Sequence, residues 1–413
     1  MYSKQLTLGI MKTMVVLHLL HKLLPIVGEY MSMPVFLMVF MLATLTVMYT
    51  VLTSRYAGLA LTILLVFLPS VFQWIHITST QGMTDSARYL YGEAHTYLYA
   101  IIAILYMNLF DIKACRRLLG IILAAYIITG ITTSIACTVM PNIVRIITAD
   151  SGEEIYYQYR RMNVGEFSFA YEFILLTPLL ICSIKSKRIN RLLGVLLLTF
   201  VTFVVFQMQF TLGLILYAVI LSTLLLPKLS SKYIMMLLIS GIVLILISRT
   251  LIADGFDFLS TIVDNSSFSS RFEYIATVLR GEEISSKLEN SAGTRYDLYL
   301  MSLEAFLEKP LFGHWGNGAL GGHSYILDNA ARFGIPGVLS ICIMYYIVYK
   351  IFLKPFKHNI CYAYMLIGYF LSIVMAIINT KPFLIIFTCV YPLFAHVFSY
   401  DQITRKTLIA YKR

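Results

Sequence analysis

The chain has 413 residues, 59% of them hydrophobic and only 13% charged, a balance that excludes an ordinary soluble domain. Its net charge of +11 is spread over short loops, without a nucleic-acid motif, so nucleic acid is not an expected partner. The six cysteines include no CxxC pair. Neither a zinc site nor a disulfide framework is therefore expected, and all six read as small apolar residues in or beside membrane spans.

A membrane-spanning helix needs about 20 mostly apolar residues. Such windows recur from end to end and predict about twelve spans, at 7–30, 33–53, 57–77, 94–110, 115–139, 166–184, 192–207, 211–227, 233–250, 334–353, 361–378 and 382–400. The first is interrupted by Lys12, His18, His21 and Lys22, which would also suit an amphipathic surface helix. It lacks the cleavage pattern of a signal peptide. Alternate short loops are basic: Arg55; Lys113, Arg116 and Arg117; Lys185, Lys187, Arg188 and Arg191; Lys228 and Lys232; Lys350, Lys354 and Lys357. Basic loops face the cytoplasm. Both termini are therefore expected there, and the longer segments 78–93, 140–165 and 251–333 face outward. The expected fold is all-α: a polytopic integral membrane protein with one large extracytoplasmic loop containing short helices. Residues 1–250 carry the first nine spans, 251–333 the large loop with the candidate active site, and 334–413 the last three spans and a cytoplasmic tail.

Charged residues inside a membrane are costly and need partners. Glu166 and Glu172, at the outer end of one span, are expected to pair with Arg160 and Arg161. The large loop is net acidic, with ten acids against five bases over 251–321, so an anion site must be built from particular arginines. Ser270-Arg271-Phe272-Glu273 reads as a capping box, and the helix it opens stops at Gly281. Thr294-Arg295-Tyr296-Asp297 repeats the arrangement, with an apolar stripe through Tyr299, Leu303 and Leu307 and a stop at Pro310. Arg271 and Arg295 each fall at a helix start, where free N–H groups suit phosphate. Neutralisation by Glu273 and Asp297 is the competing reading.

Further on come Gly313-His314-Trp315-Gly316-Asn317-Gly318 and Gly321-Gly322-His323. These glycines let backbone approach a ligand closely, without forming a nucleotide-binding fingerprint. His323 falls at the start of a short helix over 324–333, closed by Gly334 before Pro336 opens the next span. That puts an imidazole near the outer interface, as a general base or as a plain polar loop residue. His314 has no helix to hold it. Asp328 and Arg332, four apart, are expected to bridge each other.

The run R-x-x-x-x-x-x-S-L-x-x-F-x-x-x-P-L-x-G, from Arg295 through Ser302, Pro310 and Gly313, is followed by G-G-H-S-x-x-L-D-x-x-x-x-F-G-I-x-G from Gly321 to Gly337. Together they resemble the bacterial O-antigen and capsular polysaccharide polymerases (Wzy-type) and the related O-antigen ligases. Ser270-Arg271 and the segment Arg161-Met162-Asn163-Val164-Gly165-Glu166, followed by Tyr171 and Pro178, resemble the family as well. The resemblance implies a GT-C-like glycosyltransferase of the bacterial cytoplasmic (inner) membrane, acting on glycans carried by undecaprenyl pyrophosphate.

On that resemblance Arg271 and Arg295 would bind pyrophosphate, and His323 would activate the acceptor hydroxyl or orient the donor. The transfer would be inverting and independent of metal, with no cofactor. A chain-length regulator and a flippase are the implied protein partners, alongside the lipid bilayer. The sequence departs from the family at Gln207-Met208-Gln209-Phe210-Thr211, where a Ser-Arg pair is usual; Arg160 or Arg161 would take its place. Polymerase is the first expectation. A ligase shares nearly all these features, and a lipid-linked oligosaccharide transporter would need symmetric halves that the sequence does not show.

Overall fold

The computed structural model describes residues 2–31, 75, 79, 99, 102–103, 106–107, 110–141, 143–148, 153–208, 211–222, 249–262, 269, 272–273, 276–277, 294–315, 321–354, 357, 360–378 and 384–400. Among them all regular structure is helical. The predicted span 33–53, and most of 57–77, 94–110 and 233–250, lie outside the described residues, as do Arg271, Gly281 and 316–320.

In chain order the helices are α1 (Tyr2–Leu23), α2 (Pro25–Tyr30), α3 (Ile112–Val139), α4 (Ile143–Thr148), α5 (Glu153–Arg161), α6 (Phe167–Lys185), α7 (Arg191–Gln207), α8 (Thr211–Ser222), α9 (Arg249–Ile262), α10 (Thr294–Glu308), α11 (Tyr325–Phe333), α12 (Ile335–Val348) and α13 (Ile360–Ile378). A last apolar helix covers Ile386–Tyr400, its first turn wound as a π turn over Ile386–Val390. Three helices are long and apolar enough to cross a membrane: Ile112–Val139, Phe167–Lys185 and Cys361–Ile378. A multi-pass membrane protein follows. The shorter apolar helices α7, α12 and Ile386–Tyr400 also fall on predicted windows.

The 7–30 window is not one continuous helix. Leu24 is extended (φ −110°, ψ 103°) and Pro25 opens α2, because a residue before proline is pushed out of the helical region.

The chain forms two compact units. The first comprises 1–220, 340–372 and 381–413; the second comprises 221–339 and 373–380. In the first, α6 packs on α7, and α3 on both α7 and α1. Tyr126 of α3 lies against Phe169 and Phe173 of α6, each 5.7 Å away between ring centroids. Gly130, one turn on, leaves room for the Phe200 ring of α7, which an added Cβ would meet at 2.9 Å. The Tyr126 hydroxyl donates to Glu172 at 2.7 Å. Glu172 thus finds a phenol, where an arginine had been expected.

The cysteines also depart from expectation. Cys182, at the end of α6, and Cys361, at the start of α13, are disulfide-bonded, with Cα atoms 5.2 Å apart. Two helix ends that meet only in the fold bring together residues 179 apart in sequence, which no spacing rule detects. Cys342 is exposed, whereas Cys115, Cys137 and Cys389 are buried thiols. Alkylation of the denatured chain is expected to modify four cysteines before reduction and all six after it, read as added mass. Six modified before reduction would show the 182–361 pair to be open.

Candidate functional site

In the second unit α10 and α11 pack along each other, and the segment between them carries the glycines and both loop histidines. The packed face of α10 is made of small residues: Ser302 and Ala305 are buried, whereas Leu303 and Leu307 of the predicted stripe are exposed. Small side chains are what close approach requires. Gly321 presses on the Leu298 carbonyl, so that an added Cβ would collide with it.

Asp328 organises the turn ahead of α11. Its carboxylate is buried and accepts from the Ser302 hydroxyl at 2.7 Å, from Gly322 N–H at 3.3 Å and from Ser324 N–H at 3.2 Å. Ser302 in turn accepts from Gly321 N–H at 2.9 Å. Ser324 is the N-cap, its hydroxyl accepting from Leu327 N–H at 3.2 Å. The bonds described for Asp328 thus reach across to α10 and back to the turn, not along its own helix to Arg332. Gly322 takes φ +72° and Gly334, which ends α11, takes φ +65°, a region that glycine enters without strain.

His323 sits inside this turn, one residue before the cap, and is half-buried. The backbone N–H groups of its neighbours on both sides donate to Asp328.

His314 plays a different part. Its Nε2 lies 2.9 Å from the Ala305 carbonyl and 3.4 Å from a Glu308 carboxylate oxygen. Both partners only accept, so Nε2 carries the proton. Its backbone N–H donates to Ala331 O and that of Trp315 to Arg332 O, both at 3.0 Å. His314 therefore ties the loop to α10, although it lies on no helix of its own. Tyr299 anchors α10 at its other side, donating to Ile378 O at 2.9 Å. Arg295 lies in the first turn of α10, as expected.

Arg160 and Arg161 end α5 in the first unit. Arg160 approaches Glu29 at 3.8 Å and Glu166 at 3.6 Å, and its Nη1 donates to the Tyr156 hydroxyl at 2.6 Å. The Tyr156 hydroxyl in turn donates to a Glu166 carboxylate oxygen at 3.1 Å. Burial first, then the Glu166 carboxylate, raises the Tyr156 hydroxyl above its ordinary pKa, so the phenol stays a donor. The pairing of Arg160 with Glu166 agrees with expectation, while Glu29 is a partner that the sequence did not single out. Arg161 meets Glu29 through Nε at 3.6 Å, with its side chain 57% exposed. Two carboxylates already balance these two guanidiniums. Arg161 is the more exposed of the two guanidiniums.

The Arg161–Glu166 segment is locked onto α3. Asn163, buried at φ 59°, accepts from Ile26 N–H at 3.3 Å and donates to Thr129 at 3.1 Å and Thr132 at 3.3 Å. Gly165 N–H donates to Thr133 at 2.8 Å. An asparagine between two helices is a recognisable left-handed turn signal. The threonine run 129, 132, 133 gave no sign of its partner. Gln207 ends α7, and its side-chain amide donates to the Thr138 hydroxyl at 3.1 Å. Among the described residues no cluster of three or more His, Cys, Asp or Glu is placed to hold a metal ion.

No protein-family model matches the chain, and a search of curated proteins gives no match either.

Proposed function

We propose that this protein is a polysaccharide polymerase of the bacterial inner membrane. It would join oligosaccharide repeat units carried on undecaprenyl pyrophosphate, at the outer face, within an architecture of about twelve spans. The observation that carries the reading is the Gly321–Asp328 turn itself, which Asp328 and Ser302 tie to α10 and within which the half-buried His323 is held.

In the proposed reaction the acceptor hydroxyl attacks the anomeric carbon of the donor glycan. His323 takes the hydroxyl proton, the bond from the anomeric carbon to the pyrophosphate oxygen breaks, and the pyrophosphate leaves with the electron pair. Attack opposite the leaving group inverts the centre. Arg295, with Arg271, would balance the developing negative charge, aided by the N–H groups of the first turn of α10. Arg161 is the further candidate for the diphosphate.

The test is purified full chain mixed with undecaprenyl-pyrophosphate-linked repeat units. A ladder of longer lipid-linked glycans is expected, and Arg295→Ala should cut its rate by about a hundredfold if one charge-stabilising donor is lost. No ladder from the cognate substrate would overturn the polymerase reading. Transfer of glycan to a different lipid acceptor would replace it with a ligase.

A further inference from the structure

The first unit contains a cavity of about 140 Å³, bounded by α3, α6, α7 and the Ile386–Tyr400 helix. Its lining is hydrocarbon and aromatic, save for Tyr126, Thr177 and Ser183. The hydroxyls of those three are spent on Glu172, the Phe173 carbonyl and the Leu179 carbonyl. A water would find few partners here. Apolar cavities of about 150 Å³ stay dry and take up hydrocarbon. Around helices that cross a membrane, the available hydrocarbon is lipid.

Position along the helices identifies the leaflet. The lining runs from Leu119 to Ile127 on α3 and includes Ile189 in the α6–α7 turn. At 1.5 Å per residue the α3 stretch covers about 12 Å, close to one leaflet's share of a core about 30 Å thick. This is the basic side of the protein. Arg116 precedes Leu119 and Leu123 by three and seven residues, so the cavity-lining face of α3 continues into a guanidinium. Arg117 stands beside it, and Arg191 opens α7. Arg188 closes the same end, its Nη2 donating to Phe398 O at 2.9 Å and its guanidinium 3.8 Å over the Phe398 ring, one turn beyond Phe394 of the lining. Asp111, at the start of α3, caps the Ala114 N–H at 2.8 Å. Leu123 is 43% exposed, so the cavity can be reached from the side.

We propose that this cavity seats part of an acyl chain of an anionic phospholipid from the basic-side leaflet, with the phosphodiester at the end formed by Arg116, Arg117 and Arg191. Apolar volume and basic rim together select an anionic diacyl lipid over a zwitterionic one. The rest of the chain would lie along the exposed apolar surface of α7, at Leu193 and Leu196. This inference rests on the membrane-spanning helices and not on the proposed transferase activity.

The test places a fluorescent reporter at the cavity, Leu123→Trp, with Ile131→Trp on the same helix as the control; Trp74 and Trp315 give both the same background. The full chain is reconstituted in phosphatidylcholine vesicles containing a minor fraction of dibromostearoyl phosphatidylglycerol, or the same fraction of dibromostearoyl phosphatidylcholine. The brominated phosphatidylglycerol is expected to quench the Leu123→Trp reporter roughly twofold more than the phosphatidylcholine, with no such preference in Ile131→Trp. The preference should vanish in the Arg116→Gln/Arg117→Gln/Arg191→Gln background. Equal quenching of the Leu123→Trp reporter by both lipids would overturn the proposal, and so would a preference that survives loss of the three arginines. Undecaprenyl phosphate relieving the quenching better than unbrominated phosphatidylglycerol would assign the cavity to a polyprenyl chain instead. As a measurement free of substitutions, phosphatidylglycerol added to the wild-type chain in detergent should raise its melting temperature more than phosphatidylcholine does. Equal shifts would count against the site.

Discussion

Asp328→Ala is expected to loosen the α10–α11 joint, raising amide exchange across residues 321–334 roughly a hundredfold. Asp328 is only 8% exposed, and its two carboxylate oxygens serve three donors: the Ser302 hydroxyl, Gly322 N–H and Ser324 N–H. Removing the acceptor leaves the buried Ser302 hydroxyl and Ser324 N–H without it, at about 1–3 kcal/mol for each that finds no substitute. The serine hydroxyl can turn, and the Gly322 bond is long at 3.3 Å, so a net cost of about 3 kcal/mol is the reasonable sum. Every 1.4 kcal/mol is about a factor of ten in an equilibrium, which gives the hundredfold change in local opening. Asp328→Asn should fall between, because its carbonyl oxygen can still serve Ser302 and Gly322 while its amide turns a donor toward Ser324 N–H. Exchange by mass spectrometry isolates this segment, which a global melt of a two-unit chain would not. Unchanged exchange in Asp328→Ala would mean that the three contacts hold nothing together.

The parts of this architecture that the sequence revealed are those written in a few consecutive residues. The apolar windows at 115–139, 166–184 and 361–378 became α3, α6 and α13 because a run of hydrophobic side chains needs no distant partner to be recognised. Gly334 as the stop of α11 is a local signal of the same kind. Contacts across the fold were not legible. Asp328 has an arginine four residues along its own helix, yet the hydroxyl it accepts belongs to Ser302, 26 residues earlier. Glu172 was assigned an arginine and met Tyr126. The glycines read as freedom for a ligand, but at Gly321 the space is taken by the backbone of α10. Gly321 is therefore explained by packing against α10, and Ser324 by capping α11.

His323→Ala is expected to lower the rate of glycan-ladder formation by about 10²–10⁴, the usual contribution of a positioned general base. The size of the effect is informative because the substitution leaves the supports of the turn intact. Ser324 would still cap α11, Asp328 would still hold Ser302, and Gly321 would still sit against Leu298. Amide exchange over 321–334 should therefore stay near wild type in His323→Ala while activity falls. Asp328→Ala should lose both. That contrast separates a group acting on the substrate from one that positions it. His323→Gln, which can hydrogen-bond but cannot carry the proton at neutral pH, should behave as the alanine variant does. If glutamine restored most of the rate, His323 would be orienting the donor and the proton would leave by another route.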